Sequence, residues 1–260
     1  MQEIKVKVYA KINLDLKIKG TYDDGYHKLD MLMTSIDIYD IVFAKKSLEN
    51  VVTMDGKVQD DNNTAKKALN LLELAYGYSM RVDIKKNIPF SAGLGGSSAD
   101  ASAVFYCYSK LYGIELESMH KLAMQVGADV VYMLYGGAKH VRCKGEMLSL
   151  AEYSRKYLVI AQKEVGASTK EVYNLYDKIL NKDNYIENDL QSAAISLCPS
   201  ILDTINDLKK YSNKVYMTGS GSAVVAEFDD MKKANNCADS LKDYLFKKAL
   251  ITKDIGIEII

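Results

Sequence analysis

The chain has 260 residues, 48% of them hydrophobic, enough for a sizeable core at a length where one core begins to divide into two. Lys+Arg and Asp+Glu balance at 34 each, which excludes the global basic field that draws a protein to nucleic acid and leaves a small molecule as the expected partner. No apolar run reaches the roughly 18 residues of a membrane span, Met1-Gln-Glu-Ile-Lys5 leads straight into a strand pattern, and Cys107, Cys143, Cys198 and Cys237 form no CxxC pair. The expectation is a cytoplasmic protein with buried, reduced thiols and no membrane or protein partner.

Residues 3–20 alternate as strands, with Ile4, Val6 and Val8 on one side and Ile12, Leu14 and Leu16 on one side of the next segment. A turn follows at Thr21-Tyr-Asp-Asp-Gly25, then a mixed apolar strand over 31–43 and a polar stretch with a hairpin expected at Met54-Asp-Gly-Lys57. Asn62 or Asn63 can cap a helix over 64–76, whose Ala68, Leu71, Leu72 and Ala75 have helical spacing. A strand over 80–88 leads into Ile88-Pro-Phe-Ser-Ala-Gly-Leu-Gly-Gly-Ser-Ser98, which opens a helix over 98–112.

That last junction carries the most chemistry. Glycine lets a backbone approach a ligand closely, and the free N–H groups of a helix's first turn, with the helix dipole, favour an anion. Gly96 is followed by Ser97 and Ser98 rather than by Lys and Ser or Thr, so this is not a P-loop; the glycine spacing is not that of a dinucleotide fold either. A nucleotide-phosphate site is the expectation, against the plainer alternative of a turn that only lets a helix pack closely on a sheet.

Beyond it come a helix over 119–126 and short strands over 129–134 and 138–143, separated by Gly136-Gly137. A new unit begins near 158: strand 158–161, helices 169–179, 188–197 and 201–211, strand 214–217, a second glycine turn, strand 223–228, a long helix 231–248 and a closing strand 256–260. The alternation predicts an α+β fold of two domains, 1–153 and 154–260.

Three segments in this order, Ala10-Lys-Ile-Asn-Leu-Asp-Leu16 with Asp24-Gly-Tyr-His27, the glycine loop, and Met217-Thr-Gly-Ser-Gly-Ser-Ala223, resemble the GHMP small-molecule kinases over nearly the whole chain. Gly127-Ala-Asp-Val130, Gly166-Ala-Ser-Thr-Lys-Glu-Val-Tyr173 and Asn188-Asp-Leu190 are similar to further segments of that family. The pairing of AKINL with DGYH is similar to the branch whose substrate is 4-diphosphocytidyl-2-C-methyl-D-erythritol. Val131 stands where a proline is usual, Thr21-Tyr22-Asp23 where Arg or Lys often precedes DGYH, and Gln162-Lys163-Glu164 where Lys-Pro is usual; none of these removes a reactive group.

The resemblance implies a ribosomal-protein-S5-like N-terminal domain, a ferredoxin-like C-terminal domain, and ATP-dependent phosphorylation of the substrate's 2-hydroxyl in non-mevalonate isoprenoid precursor synthesis. It implies Asp129 as the group that accepts the hydroxyl proton and Lys11 as the partner that keeps it ionised and offsets charge on the γ-phosphoryl. Pro89, Ala92, Gly93, Leu94, Gly95, Gly96, Ser97 and Ser98 would wrap ATP, a serine hydroxyl reaching phosphate or Mg²⁺. Asn63 resembles the segment near the adenine, though a helix cap explains it equally well. Asn13, Tyr26, His27, Thr169, Tyr173 and Gly219 would meet the substrate, His27 reading a cytosine edge and a tyrosine supplying a stacking face. The metal ligands stay open. Alternatives are a kinase of another small alcohol, such as homoserine or mevalonate, and a non-catalytic nucleotide-binding regulator.

Overall fold

The computed structural model describes residues 2–179 and 187–260. Its frame is a pair of long antiparallel strands, β1 (Glu3–Thr21) and β2 (His27–Ser47), joined across the turn that the sequence places at 21–25. β1 occupies one edge of β2. The other edge of β2 takes three partners in succession: β6 (Lys139–Cys143) at Leu29–Met33, β11 (Phe246–Lys253) at Ser35 and Ile36, and β5 (Ser79–Lys85) at Ile41–Ser47. β3 (Val51–Met54) runs parallel to β5 and forms a two-residue hairpin with β4 (Lys57–Val58), its Asp55 and Gly56 both at positive φ, as the Asp-Gly pair predicts.

One face of this sheet is covered by α1 (Thr64–Tyr76), α2 (Gly96–Tyr112), α3 (His120–Val126) and α4 (Ala128–Tyr135), with α2 packed between α1 and α4 and against β1 and β2. β7 (Met147–Leu150) pairs with β6. The C-terminal half is built on β8 (Tyr157–Gln162), which lies between β11 and β10 (Val224–Phe228), with β9 (Val215–Met217) outside β10. α5 (Thr169–Lys178), α6 (Gln191–Leu197), α7 (Ser200–Lys209) and α8 (Met231–Ser240) complete it, and β12 (Ile257–Ile259) returns to pair with β1. Among the described residues no helix is long and apolar enough to cross a membrane.

Three elements differ from the sequence expectation. The stretch 129–134 is helix α4 rather than a strand; Val130–Leu134 are all buried, and a short run that is apolar on every side has no periodicity to separate the two forms. Helix α8 ends at Ser240 rather than at 248, and Phe246–Lys253 become β11, filling the gap between β8 and β2. Its charged, helix-prone residues are overridden by the two open strand edges it satisfies. Finally, α6 starts at Gln191 rather than at 188, because Asn188 is engaged by the second glycine turn.

Candidate active site

β1 and β2 lose register at Tyr9/Ala10 and again at Asn13/Asp15, and these bulges bracket the residues that face the central cavity. Lys11 and Asn13, two apart on one strand, point to the same side. Both are buried, 5% and 2% exposed. A buried lysine needs partners, and Lys11 has two: its Nζ donates to Asn13 Oδ1 at 2.7 Å and lies 3.5 Å from Asp129 Oδ2. Asp129 sits in the first turn of α4, where the helix dipole favours a carboxylate. Asn13 is held in turn, its backbone N–H donating to Thr218 Oγ1 at 2.7 Å.

The glycine loop passes directly over Lys11, whose backbone N–H donates to Leu94 O at 3.1 Å. Gly95, with φ of +72°, starts α2, and a Cβ there would stand 3.0 Å from Lys11 Cγ. The first turn of α2 has no side-chain cap, as in α3, α4, α6 and α7, but its Gly96, Ser97 and Ser98 line the central cavity. Its N–H groups are therefore left for a ligand. The second glycine turn locks onto the first. A Cβ on Gly93 would lie 2.4 Å from Thr218 O, and one on Gly219 would lie 2.6 Å from Gly93 O, so both positions require glycine for space as well as for their positive φ. Ser222 and Ala223 donate backbone N–H groups to Ser91 and Ala92. Gln162, one of the departures from the family pattern, is fully buried and donates from Nε2 to Phe90 O, Ser91 O and Ser222 Oγ, tying both turns to β8. Asn188 donates to Met217 O and Gly219 O, both at 2.9 Å.

One cavity of about 1070 Å³ contains every site residue expected from the sequence. At one end, beside the loop, Asn63 lines the wall while its Oδ1 accepts from Ala65 and Lys66 N–H, so its side chain serves as the α1 cap. At the other end His27 Nε2 lies 2.8 Å from Asp177 Oδ1, and its ring stands over Tyr173 at 4.8 Å. Burial pushes the Tyr173 phenol up, so it stays neutral. Tyr26 is 63% exposed at the rim. Thr169 and Ser220 hydroxyls meet at 3.0 Å, linking α5 to the second glycine turn.

Several residues of this cavity escaped the sequence. Lys86 Nζ is buried between Asp40 and Asp100, 2.7 Å from Asp100 Oδ2, and a Cβ on Gly96 would stand 3.4 Å from it. Burial pushes the Asp100 carboxyl up to about 8, while burial alone would lower Lys86 and its contacts with Asp100 and Asp40 hold it above its ordinary value. An Asp inside the apolar run Ile38–Phe43 was the available signal. Lys144, in the β6–β7 turn, pairs with Asp24 and lies over the rings of Tyr22 and Tyr26 at 4.9 and 4.8 Å; nothing local marks it.

Residues 63–137 match the GHMP kinases N terminal domain and residues 177–247 the GHMP kinases C terminal. The chain belongs to the GHMP kinases. Like other members of that family it is an ATP-dependent phosphotransferase, and its two-domain α+β architecture is the GHMP kinase fold. Two GHMP kinase relatives, both named 4-diphosphocytidyl-2-C-methyl-D-erythritol kinase, are 34% identical: one from Clostridium beijerinckii, covering 97% of this chain and 100% of the relative, and one from Thermoanaerobacter pseudethanolicus, covering 100% and 99%. A crystal structure of 4-(cytidine 5'-diphospho)-2C-methyl-D-erythritol kinase superposes with a TM-score of 0.80 at 26% identity, covering 95% of this chain and 98% of that one. Homoserine kinase from Cytophaga hutchinsonii superposes at 0.75 with 17% identity over 100% and 98%, a likeness of fold.

Proposed function

We propose that this GHMP kinase uses ATP and Mg²⁺ to phosphorylate the 2-hydroxyl of 4-diphosphocytidyl-2-C-methyl-D-erythritol, in the cytoplasm and in isoprenoid precursor synthesis. The observation that carries this reading is the Lys11–Asp129 pair in one cavity with an uncapped helix N-terminus and an imidazole over a phenol ring. Asp129, with about a quarter of its side chain exposed, is open to a substrate hydroxyl and accepts its proton. Lys11 offsets charge on the phosphoryl group as it moves.

The triphosphate lies on the N–H groups of Gly96, Ser97 and Ser98, with Pro89, Ala92, Gly93, Leu94 and Gly95 shaping the cradle and Asn63 closing the wall at the base. His27, Tyr173 and Tyr26 hold the cytosine, while Asn13, Thr169 and Gly219 meet the polar middle of the substrate. Mg²⁺, when bound, neutralises phosphate charge. Among the described residues no group of three or more His, Cys, Asp and Glu is placed to hold a metal ion, and Mg²⁺ usually relies on phosphate oxygens and one or two protein oxygens. The Ser97 or Ser98 hydroxyl and Asp129, all on the cavity wall, suit that part. We set the domain boundary between 153 and 154, ahead of β8.

The test is ATP consumption with Mg²⁺ and the cytidyl substrate, with homoserine and mevalonate as rival acceptors. Turnover is expected with the cytidyl substrate alone. In Asp129→Asn, kcat should fall by about 10²–10⁴ while calorimetric ATP affinity is kept. Preference for another alcohol would overturn the substrate, and ATP binding with no acceptor turned over would favour a nucleotide-binding regulator.

A further inference from the structure

α5 delivers Tyr173, Tyr176 and Asp177 to one side of His27, because residues three and four apart share a helix face. Tyr173 lies under the imidazole at 4.8 Å with the planes 37° apart, and Tyr176 meets it edge-on at 6.2 Å. The ring is thus fixed in plane, and its Nε2 is 2.8 Å from Asp177 Oδ1. An ionised carboxylate only accepts, so the proton of this contact belongs to Nε2; in a neutral imidazole the other nitrogen is then an acceptor. Among the described residues Nδ1 has no hydrogen-bonding partner. His27, Tyr173 and Asp177 all line the same end of the cavity.

We infer that Asp177 is a positioning residue that sets the base preference of this kinase: by keeping the proton on Nε2 it leaves Nδ1 as an acceptor for an exocyclic 4-amino group and turns a lone pair against a 4-keto oxygen. The inference rests on the cytidyl reading above and deepens it, since it assigns discrimination between cytidine and uridine to a residue that touches neither. A lone pair facing a lone pair leaves a buried group unmet, which is worth about tenfold to a hundredfold in selectivity.

Two measurements test it. With only three histidines in the chain, the ring-nitrogen NMR shifts of His27 are assignable with a His27 variant as blank. At mildly alkaline pH the wild type should show Nε2 protonated and Nδ1 bare. The second measurement is kcat/KM for 4-diphosphocytidyl-2-C-methyl-D-erythritol and for its uridine analogue, in wild type, Asp177→Ala and Asp177→Asn. The cytidine-to-uridine ratio should fall at least tenfold in Asp177→Ala, and further in Asp177→Asn, whose amide can donate to Nε2 and move the proton to Nδ1. A wild-type ring protonated on Nδ1, or a ratio unchanged in both variants of an enzyme that prefers the cytidyl substrate, overturns the role of Asp177 alone. A wild type that turns over neither nucleotide substrate overturns the cytidyl reading itself.

Discussion

The two ends of the cavity are built from different materials. At the loop end the cavity is lined by a glycine loop and an uncapped helix start, held in place by two glycine turns that interlock through Gly93 and Gly219 and by buried polar side chains behind them: Gln162, Asn188 and the Lys86–Asp40–Asp100 set. At the other end the cavity-lining groups are side chains, Tyr26, His27 and Tyr173, braced by charges that keep contact with solvent, Lys144 with Asp24 and Asp177 with His27. The difference suits the ligand parts proposed for each end. A phosphate is satisfied by any well-aimed set of N–H groups, which every residue owns, so selection acts on backbone shape and therefore on glycine. A base edge has a specific donor and acceptor order, which only side chains can match, and these come from whatever elements happen to reach the spot.

This contrast can be broken in three places. The largest effect is expected at the loop end from Gly93→Ala. The added carbon would meet a backbone oxygen at 2.4 Å in a residue with φ of +75°, and neither turn can move without the other. KM for ATP should rise more than tenfold and the melting temperature should fall, the backbone strain alone being worth about 1–3 kcal/mol; an unchanged KM would mean that the turns are not interlocked. Next comes Lys144→Ala, which removes the cation from two ring faces and from Asp24 at the exposed end. KM for the cytidyl substrate should rise about three- to tenfold with KM for ATP unchanged. Lys144→Arg should recover most of the loss, and added salt should shrink the gap between wild type and the alanine variant, because exposed charges are screened. An equal rise in both KM values would place Lys144 in general stability rather than at one end.

The smallest effect concerns the buried support. Burial raises the folded-state Asp100 carboxyl from 3.8 to about 8, so between those values the native protein binds a proton that the unfolded chain has lost. Its contribution to stability is complete below the unfolded value and is lost as pH rises through about 8. Wild-type melting temperature should therefore decline between pH 5 and pH 9 more steeply than that of Asp100→Asn, which cannot ionise there. Parallel profiles for the two proteins would show that Asp100 does not titrate in this window.

Legibility in the sequence followed the same division. The glycine loop could be marked because it is a short contiguous segment whose spacing is the chemistry, whereas Lys11, Asn13 and Asp129 are marked through the resemblance of the segments that hold them. Tyr26, His27, Thr169 and Tyr173 are marked through resemblance too, since a tyrosine among 19 carries little weight by itself. Lys86, Asp100, Lys144 and Asp177 were not marked. Their partners lie 14 to 150 positions away, and each alone looks like an ordinary charged residue of a helix, strand or turn. The Asn63 position was ambiguous for a related reason: a helix cap and a cavity wall ask for the same small polar side chain, and here one residue is both.

What the chain determined by itself was local: the strand alternation of β1, the Asp-Gly hairpin, the capped start of α1, the uncapped glycine start of α2, and the order of segments that marks a GHMP kinase. Apart from that order of segments, each depends on contacts within a few residues, where backbone sterics and side-chain period act directly. The tertiary structure decided the rest. It made 129–134 a helix because a run buried throughout, as Val130–Leu134 is, takes the form its neighbours leave room for, and it drew 246–253 into a strand because β8 and β2 each presented an open edge. It also paired Lys11 with Asp129 and His27 with Asp177, since a charge or ring nitrogen removed from water must be met by whichever partner the packed fold brings within reach.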